Sequence, residues 1–344
     1  MTIHVGLIGG GNISSTHARA VDAIPDAKVV AVYGPNPVKA GKLGADHHAA
    51  VYGNLETLLT HRPMDMVIIG SPSGLHAEQG IAAARHGLHV LAEKPIDITT
   101  ERADALIEAC DQAKVRCGVI FQERFHPENL KIKKLIEEGG LGKLLLVNAH
   151  VPWYRPPEYY TKSRWHGVRV IDGGGALMNQ GVHTVDFLLW MIGDVANVQA
   201  RTTTVLQQME CEDTALAILE FANGAFGTLQ VTTAEYPGYE RRVEITGTEG
   251  TVILEGDRII AADLRRKREG LLSPPPATAE VGERATSSVV NDISGHRAAI
   301  ENFIRVVREG GKLNCDGREG RRSLALVERV YAAAEKVQAS RASA

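Results

Sequence analysis

The chain has 344 residues, 44% hydrophobic and 23% charged, with a formal net charge of -3 and an isoelectric point near 6.5. That is enough chain for two globular cores, and the absence of a basic excess argues against nucleic acid or an anionic membrane as a partner. The four cysteines, Cys110, Cys117, Cys211 and Cys315, form neither a C-x-x-C pair nor a Cys/His cluster, which favours free thiols in a reducing cytoplasm over zinc or a disulfide framework. The chain enters a core strand directly, without a basic leader or a cleavable apolar segment, and no uncharged run approaches the length of a membrane span. Neither export nor membrane insertion is expected.

A short apolar strand over 3–8 is followed by Gly9-Gly10-Gly11-Asn12-Ile13-Ser14 and a helical pattern that Pro25 closes. This is G-x-G-x-x-S in the strand-turn-helix setting of a dinucleotide site. Gly9 suits the tight turn, Gly11 lets the backbone approach a pyrophosphate, and the N-terminal amides at Asn12 and Ile13 offer donors to the phosphates. The second strand, 28–33, ends in Tyr33-Gly34-Pro35-Asn36, where a carboxylate would select NAD and an arginine NADP. Neither is present and Lys39 is the nearest cation, so NAD is expected and NADP is not excluded.

Strand and helix then alternate: strand 65–70, helix 75–86, strand 89–92, helix 101–113, strand 116–121. Such alternation predicts a doubly wound parallel sheet. Ser71-Pro72-Ser73 stands at a strand's carboxyl end, with His76 opening the next helix. At another such end stands Ala92-Glu93-Lys94-Pro95. Proline fixes its own φ and bars the preceding residue from the α region, so Lys94 has a defined backbone where open α/β sheets build their active sites.

The pattern changes from Gln122. A helix ending at Gly139-Gly140 leads into a strand over 143–151, then into a loop rich in rings and arginines that contains Tyr154 and Trp165 and suits the face of a sugar or a nicotinamide. An interface loop fits the same composition. Asp172-Gly173-Gly174-Gly175 breaks into an apolar helix over 176–192, interrupted by Asn179, His183 and Asp186. At that spacing Asn179 and His183 share a face, with Asp186 on nearly the same side. A structural polar network and a catalytic imidazole both fit. Strands follow over 198–205, 215–221, 225–233, 242–246, 251–254 and 258–264, with hairpin signals that predict a largely antiparallel sheet. A Pro, Ala and Ser-rich segment over 271–288 reads as a mobile loop, and two helices, 293–308 and 320–337, close the chain.

With the Gly9 turn, Glu93-Lys94-Pro95 and Asn179-Gln-Gly-Val-His183-Thr-Val-Asp186 taken together, the chain resembles the Gfo/Idh/MocA oxidoreductases over nearly its whole length. That family is named for glucose-fructose oxidoreductase, inositol dehydrogenase and a rhizopine catabolism protein. The resemblance implies a Rossmann domain over 1–121, an α/β domain on a large, mostly antiparallel open sheet over 122–292, and C-terminal helices over 293–344 that pack back on the first domain. It implies Lys94, His183 and Asn179 as catalytic residues. Gly9, Gly11, Asn12, Ile13, Ser71, Pro72, His76, Glu93, Gln122 and Trp165 match positions around the cofactor, and Tyr33, Gly34 and Asn36 would face its adenosine ribose. Tyr154 and Tyr236 join Lys94, Asn179 and His183 as candidate substrate contacts, and His296 is a further candidate near that pocket.

The family's usual carboxylate four residues before the histidine is Asn179 here, as in some of its sugar-nucleotide dehydrogenases. The proton acceptor is then either His183, with Lys94 as ammonium donor, or a neutral Lys94 with His183 as binder. The implied activity is oxidation of a secondary ring hydroxyl of a sugar, sugar derivative or cyclitol to a ketone with NAD, and no metal. Redox-neutral sugar chemistry on a retained cofactor and a non-catalytic NAD(H) sensor are the alternatives. The implied assembly is a homodimer or homotetramer through the second sheet.

Overall fold

A computed structural model describes residues 2–163, 165–274 and 292–342. The chain divides into two compact units: Met1–Gln122 with Val170–Gly173 and Val290–Leu324, and Glu123–Arg169 with Gly174–Val289 and Ala325–Ala344. Among the described residues no helix is long and apolar enough to cross a membrane. The segment expected to be a mobile loop over 271–288 falls mostly outside the described residues.

The first unit is a six-stranded sheet in the order β3-β2-β1-β4-β5-β6, with every adjacent pair parallel. The chain runs β1 (Ile3–Ile8), α1 (Asn12–Asp22), β2 (Ala27–Tyr33), α2 (Pro37–Asp46), β3 (Ala50–Tyr52), α3 (Leu55–Leu59), β4 (Met66–Ile69), α4 (His76–Arg85), β5 (His89–Glu93), α5 (Thr100–Ala113) and β6 (Cys117–Ile120). Every residue of β4 is buried, as expected of a central parallel strand covered on both faces. The strand order reverses between β1 and β4, so the crevice beyond their carboxyl ends, at Gly9 and Gly70, is where such a sheet binds a ligand.

The second unit carries α6 (Pro127–Glu137), β7 (Leu144–Pro152), α7 (Pro157–Thr161), α9 (Val182–Met191) and β8 (Val195–Thr203) through β9 (Thr214–Phe221), β10 (Phe226–Thr232), β11 (Arg242–Gly247), β12 (Gly250–Glu255) and β13 (Arg258–Leu264). A short α8 (Arg169–Asp172) lies at the junction of the units. The sheet order is β13-β12-β11-β7-β10-β9-β8. It is antiparallel except where β10 runs parallel to β7. One face is buried by alternation; the other leaves Leu146, Leu216, Ile218 and Phe226 exposed on neighbouring strands.

Two helices end the chain, α10 (Ser294–Glu309) and α11 (Gly317–Ala342). Within the first unit α10 packs on α1 and on β6. Phe303 is 1% exposed there, and a Cβ added at Gly118 would come within 2.9 Å of its ring. The glycine is therefore what lets the ring lie flat against β6. Truncating a buried Phe costs about 3–5 kcal/mol, so Phe303→Ala should lower the unfolding free energy by that amount in urea titrations.

Candidate active site

In the first unit, Gly9 holds a φ of +127°, and a Cβ there would fall 2.6 Å from the Gly70 carbonyl and 2.7 Å from Ser14 Oγ. A side chain at this turn would collide with the backbone of the next strand's end. Gly9 N donates to the Tyr33 carbonyl at 2.7 Å, and a Cβ on Gly34 would lie 3.1 Å from Gly10 N. The ribose-side turn and the phosphate turn thus touch.

Helix α1 starts with Gly11 as its N-cap, with no capping side chain and no acid in the first turn. A Cβ at Gly11 would meet nothing within 4 Å. Ser14 Oγ is buried and without a hydrogen-bond partner among the described residues. Open space above uncapped amides at a helix N-terminus, with a spare hydroxyl beside it, fits a dinucleotide pyrophosphate. Asn36 Oδ1 accepts from Val38 N at 3.1 Å and Lys39 N at 3.0 Å, capping α2.

At the ends of β4 and β5, His76 is 1% exposed, its Nε2 lying 2.9 Å from the Ser71 carbonyl and its Nδ1 2.8 Å from the Pro95 carbonyl. The ring lies between two backbone carbonyls, one from each turn, and donates to one of them according to its tautomer. Ser71 Oγ donates to Gln79 at 2.6 Å. Asp97, fully buried, accepts from Ala77 N and Ile98 N at 2.7 Å each and from Arg102 Nε at 2.6 Å. The chain leaving β5 is therefore pinned on both sides of Lys94, and the Lys94–Pro95 peptide is cis. Within the run 91–97 Lys94 alone is not buried.

Glu93 beside it is fully enclosed. Its Oε1 lies 2.8 Å from His17 Nε2, and its Oε2 accepts the Lys94 N–H at 3.1 Å. Burial alone would push this carboxyl upward. The hydrogen bond from His17, with the nearby charges of His17, His296 and Lys94, outweighs it and holds Glu93 at about 2. His17 had no place among the sequence-based candidates, although a histidine at an inward phase of α1, beside Ala18, Ala20 and Val21, was a visible signal. His296 is 3% exposed and 3.7 Å from Glu93, so it belongs to this cluster.

In the second unit the expected single helix over 176–192 is instead a π-helical segment, Leu177–Gly181, running into α9. Glu212 sets its start. Its carboxylate accepts from Gly175 N at 3.1 Å, Leu177 N at 2.9 Å and Tyr331 Oη at 2.9 Å. Burial raises its carboxyl above the usual carboxylate range against the pull of these bonds. Gly175 and Gly174 are required here, because a Cβ on either would strike the Glu212 backbone or the Tyr331 hydroxyl. Across the run 174–189 every residue is buried except Asn179 and His183. π-turns with an i→i+5 ladder recur at functional sites.

Asp186 does not belong with these two. It is fully buried and forms a bidentate pair with Arg124, Nε to Oδ2 at 2.8 Å and Nη2 to Oδ1 at 2.7 Å. Glu123 pairs likewise with Arg241 at 2.9 Å. The aromatic loop also folds largely on itself. Arg155 is 4% exposed with its guanidinium over Trp153 and Tyr159, 5.3 and 5.8 Å from the ring centroids, and burial pulls its pKa down. Trp165 packs on His166 at 3.9 Å between centroids. Tyr154 meets Tyr236 edge to face at 5.2 Å, and Tyr236 is 77% exposed.

Residues 3–121 match the family described as "Oxidoreductase family, NAD-binding Rossmann fold", and residues 129–253 match the "GFO/IDH/MocA C-terminal domain". The chain belongs to the GFO/IDH/MocA oxidoreductase family. Its first unit is the NAD-binding Rossmann domain of an oxidoreductase. Among its relatives in this family, inositol 2-dehydrogenase of Rhizobium meliloti (strain 1021) is 27% identical over 348 residues, 99% of each chain. Levoglucosan dehydrogenase of Pseudarthrobacter phenanthrenivorans is 27% identical over 295 residues, 74% of each. The WlbA dehydrogenase from Bordetella pertussis, crystallised with NADH and UDP-GlcNAcA, is 34% identical, covers 97% of this chain and 96% of its own, and superposes with a TM-score of 0.86.

Two outcomes test the electrostatics of this family member. Breaking a buried ion pair by removing one partner typically costs about 3–5 kcal/mol, so Asp186→Ala should lower urea-unfolding stability by that amount. Glu93 has a folded value of about 2 against an ordinary 4.5. Its stabilisation is therefore fully present above pH 4.5 and is lost as pH falls toward 2, on the order of 3 kcal/mol in all. Stability measured across that acid range should fall less steeply in Glu93→Gln than in the wild-type protein.

Proposed function

We propose that the protein oxidises a secondary ring hydroxyl of a nucleotide-linked sugar to the ketone, reversibly, with His183 as proton acceptor and Lys94 as hydrogen-bond donor. The reading is carried by the pattern of burial: Asn179 and His183 are the openings in one otherwise buried run, and Lys94 is the opening in another. Bound NAD supplies the hydride acceptor. His183 accepts the hydroxyl proton as general base. Lys94, with the ionised Glu93 at its back, serves as ammonium and stabilises the developing alkoxide. Asn179 orients without adding a charge, whereas a carboxylate at that position would favour the imidazolium. The relative that crystallised with NADH and UDP-GlcNAcA supports a sugar linked to a nucleoside diphosphate over a free polyol.

The test is nicotinamide reduction by purified protein, first checked for bound cofactor, against UDP-sugars including a UDP-linked uronic acid, with inositols and levoglucosan alongside and NAD and NADP in parallel. Turnover confined to the UDP-sugars is expected. Turnover of free cyclitols alone would overturn the substrate class. Protein that retains its cofactor and converts sugars without net reduction would overturn the net dehydrogenase reading. Lys94→Ala and His183→Ala should each lower turnover by about 10²–10⁴-fold while NAD binding survives, as read by fluorescence titration.

The same reading extends to assembly. The exposed Leu146, Leu216, Ile218 and Phe226 lie on one face of the second sheet, and this face is the proposed contact between copies of the chain. Wild-type protein should elute as a dimer or tetramer by light scattering, and Ile218→Asp combined with Phe226→Asp as a folded monomer.

A further inference from the structure

The cluster behind Lys94 joins two helices to the end of β5. The groups facing Glu93 are His17 from α1, His296 from α10 and Lys94 next along the chain. Asp97 and Arg102, farther on, are paired with each other at 2.6 Å. Ligand-type atoms of His17, Glu93 and His296 all lie within 4.8 Å of one another, which raises the question of a metal. The His17–Glu93 separation is 2.8 Å. Two ligands on a tetrahedral zinc ion, each about 2.0–2.1 Å from the metal, stand roughly 3.3 Å apart, whereas 2.8 Å is a charge-assisted hydrogen bond.

An ionised carboxylate can only accept, so His17 Nε2 carries the hydrogen. His17 Nδ1 is buried with no hydrogen-bond partner among the described residues. The ring is therefore aimed at Glu93 alone. Burying a polar ring at this depth costs free energy unless it is used.

We propose that His17 is a positioning residue for Lys94, acting through Glu93: its Nε2–H keeps a buried carboxylate ionised and fixed, and that carboxylate holds the Lys94 backbone and keeps its side chain an ammonium. This rests on the reading of Lys94 as an active-site residue. Without the Nε2–H, the burial that already disfavours the Glu93 carboxylate is left unopposed by its strongest partner, so Glu93 takes up a proton at higher pH and the charge behind Lys94 disappears from the acid side upward.

The experiment is competitive acetylation of the intact protein with trace acetic anhydride from pH 5.5 to 9, reading the Lys94-containing peptide by mass spectrometry. The variants are His17→Phe, which keeps a ring but no donor, His17→Gln, which restores an amide donor, and Glu93→Gln. Wild-type Lys94 should gain reactivity with a single uninflected slope. Glu93→Gln should react about tenfold faster throughout, the effect of removing one neighbouring charge. His17→Phe should follow Glu93→Gln at the acid end and rejoin wild type at the alkaline end, and His17→Gln should track wild type.

A merely structural role for His17 produces no such pH-dependent crossover and no rescue by Gln. Should His17→Phe not fold, His17→Leu carries the same comparison, with lysines elsewhere in the chain reporting on folding. A donorless variant that superimposes on wild type at every pH, or a Glu93→Gln profile that does so, overturns the proposal. The readout needs neither substrate nor cofactor. Its failure is therefore distinct from that of the catalytic assignment, which would show as full turnover in Lys94→Ala.

Discussion

A carboxylate that is ionised yet sealed from water survives only where donors surround it, and the first unit is arranged to meet that demand at Glu93. Strand β5 brings the acid to the crevice, α1 brings His17, and α10 brings His296. The cost of stripping water from the charge is offset by a hydrogen bond and by positive neighbours. Because α1 also presents its uncapped N-terminus at Gly11, one helix would serve, on the proposed reading, both the cofactor phosphates and the residue behind Lys94. A displacement of α1 would be felt at both places.

The second unit treats its charges in the opposite way. Asp186 and Glu123 are neutralised pairwise by Arg124 and Arg241, and Glu212 is consumed in holding the start of the π-turn. The two ion pairs join side chains, whereas Glu212 holds backbone. The segment is thus fixed at its start, and Asn179 and His183 are the places where the buried run opens.

Most of the strands were legible because buried parallel strands are unbroken apolar runs and the antiparallel ones alternate cleanly. Several elements escaped: β3 has three residues and α3 five, too few for either period to show, while α2, ten residues long, begins at a proline after a turn. The parallel pairing of β7 with β10 is a property of partners that no local pattern carries. Lys94 and His183 stood out as polar residues in apolar company, and His17 carried the same signal in a shorter helix. Arg124 and Glu212 did not, since a charged residue in a loop reads as solvated until its burial is known. The Arg124 partner of Asp186 was invisible for a related reason: helix spacing tells which residues share a face, not what a neighbouring element brings to it.

The π-turn at Leu177–Gly181 amounts to one residue more than a regular helix between Glu212's grip and α9 would need. Side-chain direction downstream is therefore a matter of residue count as well as residue identity. Deleting a single position there would relax the segment to α-helical winding and turn everything behind it by roughly a quarter of a revolution. His183 would survive in the sequence while its imidazole pointed elsewhere. Anyone grafting this segment onto a related scaffold must transplant its length before its sequence.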